Sequence, residues 1–119
     1  MDSNKISIRP ILNLTSTVPD EDFQNGTLRP ILKLQHTTIL QMFELFLKKQ
    51  KTDISSYSKE KLNIYVNLST KNNTVLRNQL LGVVIGQFTK EEFDTYKIQD
   101  LEFNKRIIQM IVQRIKDSH

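Results

Sequence analysis

The sequence predicts an all-α protein: a compact bundle of about five helices preceded by a loosely structured N-terminal arm. Three observations predict it. Apolar residues recur at helical spacing in several stretches, and only three glycines and three prolines interrupt 119 residues. The one β-rich stretch, "LLGVVIGQF" at 80–88, has no partner strand of similar quality elsewhere in the chain. With 38% hydrophobic and 25% charged residues, the chain is ordinary for a globular protein and long enough for one domain. The expected division is an arm at 1–26 and a helical domain at 27–119.

Within the arm, "SIRPILNL" at 7–14 is repeated as "TLRPILKL" at 27–34. The first copy has room for about two helical turns, because Val18 precedes Pro19 and is pushed out of the α region. "PDEDFQNGT" at 19–27 predicts a short acidic helical turn and then an Asn-Gly turn. The second copy opens the main helix, expected at 30–49. Pro30 at its first position loses no hydrogen bond, and Arg29 before it suits an extended N-cap. Leu32, Ile39, Leu40, Phe43, Phe46 and Leu47 form its stripe, widened by Ile31, Leu34, Met42 and Leu45.

Ser58 is placed to cap a helix to about 68, with Leu62, Tyr65, Val66 and Leu68 inward. "STKNNT" at 69–74 predicts a loop. A helix at 74–87 follows, carrying Val75, Leu76, Leu80, Leu81, Val84 and Ile85. "TKEE" at 89–92 predicts a capping box between Thr89 and Glu92, with a short helix to about Tyr96. Asp100 is expected to cap the last helix, where Leu101, Ile107, Ile108, Ile111, Val112 and Ile115 align.

Composition excludes several chemistries. No cysteine is present, which removes disulfides, thiolate zinc sites and thiol nucleophiles. The opening "MDSNKISIRP" lacks the profile of a signal peptide, and no apolar run approaches a membrane span. A soluble cytoplasmic protein with no membrane partner is expected. Net charge is +4 with a pI near 9.4, and its distribution is uneven. Residues 48–71 carry six lysines against Asp53 and Glu60, whereas residues 90–102 carry five acids against two lysines. A basic side and an acidic side are expected.

No catalytic constellation emerges. His36 is the sole histidine besides terminal His119, and no acid lies at helical spacing to orient it as a base. Two histidines cannot build the common zinc sites, and the acids at 20–22 and 91–94 suit helix starts. Gly82 and Gly86 match no phosphate-binding or dinucleotide motif, so neither metal nor cofactor is expected. Four residues apart on one helix face, they predict close approach by another helix. On the last helix, Lys105, Arg106, Gln109, Gln113 and Lys116 read as ordinary wet surface. The candidate contact residues are Arg9 and Arg29 of the repeated motif, with Lys33, Lys48, Lys49 and Lys51. Arg9 and Arg29 are alternatively placed to pair with acids at 20–22 or 91–94 and fasten the arm. An alternative pocket between helices would centre on His36.

"TLRPILKLQ", "LRNQLLGVVIGQFTKEEF" and "NKRIIQMIVQRI" together resemble blocks in a group of short, uncharacterised bacterial helical proteins, some labelled glyoxalase. The resemblance spans about residues 27–116. The label implies a metal-dependent lyase that isomerises a hemithioacetal, with histidine and glutamate ligands on paired βαβββ units. This chain has neither that pattern nor those histidines, so no family catalytic residue carries over to any position. The expected function is a non-enzymatic helical interaction module of the bacterial cytosol, with a protein or nucleoprotein partner and possible nucleic-acid contact through the basic surface at 48–61. The competing expectation is a small enzyme or ligand sensor with its pocket near His36.

Overall fold

Every regular element is helical among residues 2–10 and 19–119, which the computed structural model describes. In chain order these are α1 (Asp2–Ser7), α2 (Pro19–Phe23), a π-helical turn (Gln24–Leu28), α3 (Arg29–Leu34) and α4 (His36–Lys49). They are followed by α5 (Lys59–Asn72), α6 (Thr74–Ile85), α7 (Lys90–Tyr96), a 3-10 turn (Lys97–Gln99) and α8 (Asp100–Asp117). The helical path from Pro19 to Lys49 counts as one bent rod. The described residues then form six rods, one more than expected. The two turns expected of the first Pro-Ile-Leu copy lie outside the described residues. Among those described, no helix is long and apolar enough to cross a membrane, and "LLGVVIGQF" is helical through Ile85, as expected.

The entry to the main helix differs from expectation. Arg29 is helical (φ −62°, ψ −46°), so it is no extended N-cap, and the Asn-Gly dipeptide lies inside the π turn. Proline within a continuing helix lacks a donor, and its ring crowds the carbonyl four residues back. Here the Arg29 N–H bonds Gln24, five residues back. This widened turn lets the rod continue past buried Pro30. A second break follows at Gln35 (φ −94°, ψ 11°), splitting the expected 30–49 helix into α3 and α4.

The expected loop at 69–74 is also mostly helix. Thr70 is 1% exposed, and its hydroxyl donates to the carbonyls of Val66 (3.0 Å) and Asn67 (3.2 Å), so α5 continues through this polar stretch. Asn73 alone forms the corner. It closes α5 through its N–H to Ser69, while its side chain accepts from the Leu76 N–H at 3.0 Å to cap α6. Ser58 caps α5 as expected, and Thr89 with Glu92 forms the complete capping box of α7. Asp100 is not a cap but the first helical residue of α8, because the 3-10 turn feeds directly into it.

α8 is the central rod, packed by α4, α5 and α6. It buries Phe103, Ile107, Ile108, Ile111, Val112 and Ile115 against Ile39 and Phe43 of α4, Val66 of α5, and Leu80 and Val84 of α6. Four residues expected inside are outside: Leu45, Leu68, Val75 and Leu101 are all more than half exposed. Phe23 of the expected arm is buried, in ring contact with Phe88 and Phe103, so the packed unit begins ahead of residue 27.

Candidate functional site

The six expected contact residues fall in three places. Arg9 is buried, which removes it as a partner contact. Its guanidinium donates to both carboxylate oxygens of Glu92, at 2.7 and 2.8 Å, and to the Gln87 carbonyl. This is the arm-fastening alternative, built as a bidentate pair rather than a surface contact. Glu92 also accepts from the Thr89 N–H at 2.9 Å and the Thr27 hydroxyl at 3.0 Å. Burial pushes its carboxyl up, but these donors and the Arg9 charge outweigh it and hold the group below its ordinary range. Lys5 donates to the Phe88 carbonyl and Asp2 accepts from the Lys90 N–H, completing the latch of α1 onto α7.

Lys48, Lys49 and Lys51 are exposed at the C-terminal end of α4. Lys51 sits in the left-handed region, at φ 53°. The Thr52 N–H reaches Leu47 and the Lys51 N–H reaches Lys48, the paired bonds that close a helix over a left-handed residue. Lys51 therefore acts as a helix stop, a position usually held by glycine. Gly82 and Gly86 do not mark a close helix approach. Nothing lies within 4 Å of a Cβ built at Gly82, and at Gly86 the near atom is the Gly82 carbonyl of the same helix.

Lys33 and Arg29 lie about 24 and about 30 Å from Lys49 along the rod at 1.5 Å per residue, where they meet His36 and α8. Together with Arg106, Met110 and Arg114, they line a groove of about 580 Å³ between α3, the start of α4, and α8. Asp117 is its one acid, against four permanent cations. Hydrogen bonds hold the three guanidinium groups to neutral partners: Arg29 to Asn25 (3.1 Å), Arg106 to Gln24 (3.0 Å), and Arg114 to His36 Nδ1 (3.1 Å). Because arginine only donates, His36 accepts through Nδ1 and carries its proton on Nε2. Burial, then the neighbouring Arg29 charge, push Arg114 down from its ordinary range, with Asp117 pulling the other way.

His36, the centre of the alternative pocket, lines this cation-rich groove. His36 has an arginine beside it rather than a carboxylate to orient it as a base. Among the described residues, no group of three or more His, Asp or Glu side chains is placed to hold a metal ion. Sequence reasoning missed Arg106 and Arg114. Their spacing of eight, with Met110 midway, puts them on one face of α8, as Arg29, Lys33 and His36 share a face of their rod. Comparison adds no family: no protein-family model, curated protein or solved structure matches the chain.

Proposed function

We propose that the protein is a non-enzymatic helical interaction module of the bacterial cytoplasm that engages an anionic partner through the groove between α3–α4 and α8. The observation that carries this reading is the charge of the groove: four cations against one acid, with the three arginines bonded to neutral groups. Like charges brought together oppose folding, so an anion bound among them would relieve a cost the free protein bears. Guanidinium forks suit carboxylate and phosphate oxygens. Of the expected contact residues, Arg29 and Lys33 line this groove, where Arg106 and Arg114 join them, and Lys48, Lys49 and Lys51 lie at the other end of α4.

His36 supplies the assay, as a polar anchor within the groove. Its imidazole proton signals, distinguished from those of His119 with His36→Gln, should shift when pyrophosphate or a glutamate-rich peptide is added, while His119 stays still. Arg29→Gln with Arg114→Gln should abolish the shift. An unmoved His36 signal at millimolar anion would refute the groove as a binding site.

A further inference from the structure

A second hollow lies on the other side of α8. It measures about 410 Å³ and is lined by Thr70 and Lys71 of α5, Arg77 of α6 and Lys116 of α8, with no acid in its wall. Gln109 and Gln113 line both hollows, so the exposed polar face of α8 is the ridge between them. The two linings hold seven of the chain's seventeen Lys and Arg residues but only one of its thirteen Asp and Glu residues. This face carries a net six positive charges on a chain whose total is +4, so the remainder is net negative by two. Among the described residues Arg9 pairs with Glu92, Lys97 with Asp94 and Lys105 with Glu102, cations outside these seven.

We infer that α8 and the hollows on either side of it form a binding face for the phosphodiester backbone of double-stranded nucleic acid. The inference rests on the anion-binding reading of the first groove and extends it to a polyanion. A single carboxylate or phosphate would occupy one hollow and leave the other cation group unmatched. A helix with its side chains is about 10–12 Å across, and the major groove of B-form DNA is about 12 Å wide. Cations on both flanks of one helix therefore match phosphate rows on both sides of a groove. Neither lining contains Phe, Tyr or Trp, and the one ring present, His36, is engaged by Arg114 at 3.1 Å. Stacking of unpaired bases is thus unsupported, and the duplex is favoured over a single strand. Gln109 and Gln113 add neutral amides facing outward, so affinity arises chiefly from the backbone contacts and varies little with sequence.

The test is fluorescence anisotropy of the full chain with a labelled 20-base-pair DNA duplex, the matching RNA duplex and one single strand, across a salt series. Duplex should bind more tightly than single strand, with log K falling by about 0.9 per decade of salt for each phosphate contacted. The pair Arg29→Gln and Arg114→Gln, and separately Lys71→Gln and Arg77→Gln, should each weaken binding about ten-fold or more at moderate salt. Each pair should lower the salt slope by about 2, one per lost phosphate contact. Exposed Lys33→Gln should lower it by about 1 without touching the half-buried Arg114. Lys48→Gln with Lys49→Gln, at the far end of α4, should leave both quantities unchanged. Because the groove width matches B-form DNA and not A-form RNA, the DNA duplex should bind more tightly than the RNA duplex. No duplex binding at low salt, equal loss in the Lys48 and Lys49 variant, or tighter binding of the single strand would overturn the inference. If duplex fails while pyrophosphate still moves the His36 signal, this inference falls and the groove reading stands. If neither binds, both fall.

Discussion

Replacing Glu92 with glutamine keeps the shape of the latch and removes its charge. Glu92 closes the capping box of α7, accepts the Thr27 hydroxyl and takes both nitrogens of Arg9, whose side chain is 5% exposed against 13% for Glu92. Removing one partner of a buried pair costs about 3–5 kcal/mol when the other charge must stay buried. Here it need not stay. α1 buries no residue of its own and is held by polar contacts, so an unpaired Arg9 can return to water by releasing the arm. Glutamine still closes the capping box, so the cost is capped by the arm's docking energy. A loss of about 1–3 kcal/mol is expected from urea denaturation at pH 7, with hydrogen exchange in α1 rising towards that of free chain. The control is Glu102→Gln at the exposed pair with Lys105 (3.5 Å), where a change below about 0.5 kcal/mol is expected. Equal costs in the two variants, or α1 protection unchanged in Glu92→Gln, would refute the latch. The pH dependence has a fixed sign. Glu92 is held below the ordinary glutamate value of 4.5, so its contribution is complete above that value and is lost as pH falls through the folded-state value. The gap between wild type and Glu92→Gln should accordingly close as pH drops below 4.5.

Four further substitutions test local structure by thermal or urea unfolding. Lys51→Gly should stabilise by about 1 kcal/mol, because Lys51 holds a left-handed conformation that glycine adopts freely; no gain would mean that the helix stop is misplaced. Gly82→Ala should stabilise by about 0.5–1 kcal/mol, since an added Cβ meets nothing within 4 Å in the middle of α6. Gly86→Ala, with its Cβ 3.0 Å from the Gly82 carbonyl, should gain nothing. Asn73→Ala should cost about 1 kcal/mol by uncapping α6, and an unchanged midpoint would show that its side chain does not cap.

What the sequence made legible was whatever depended on neighbours in the chain. The capping box at Thr89 and Glu92, the Ser58 cap and the buried residues of α8 at spacings of three and four are local patterns, and the structure contains them. The misses arise where tertiary context overrides a local signal. Ser69 to Thr74 have loop composition, yet Thr70 is drawn into the core because its hydroxyl can bond within its own helix. Pro30 reads as a helix start, yet the π turn before it lets an earlier helix run through. Leu101 and Leu68 lie near the ends of their apolar stripes, and the bundle closes without them.

The candidate site was legible only in halves. Arg29, Lys33 and His36 form one stripe and Arg106, Met110 and Arg114 another, but no local pattern brings the two side by side. The repeated Arg-Pro-Ile-Leu motif shows the same limit. Its two arginines are identical in local context, and their different fates follow from what each meets. Arg9 meets a carboxylate already ordered by its own helix cap, so its charge is consumed in holding the arm. Arg29 meets Asn25 at 3.1 Å and the charge of Arg114, so its charge remains available. A motif repeated in sequence thus supplies a structural pair at one copy and one wall of the proposed anion site at the other. This division predicts opposite responses: neutralising Arg9 should weaken the fold and leave anion binding intact, while neutralising Arg29 should do the reverse. Parallel urea and pyrophosphate titrations of Arg9→Gln and Arg29→Gln would show it, and the same response from both variants would refute the division.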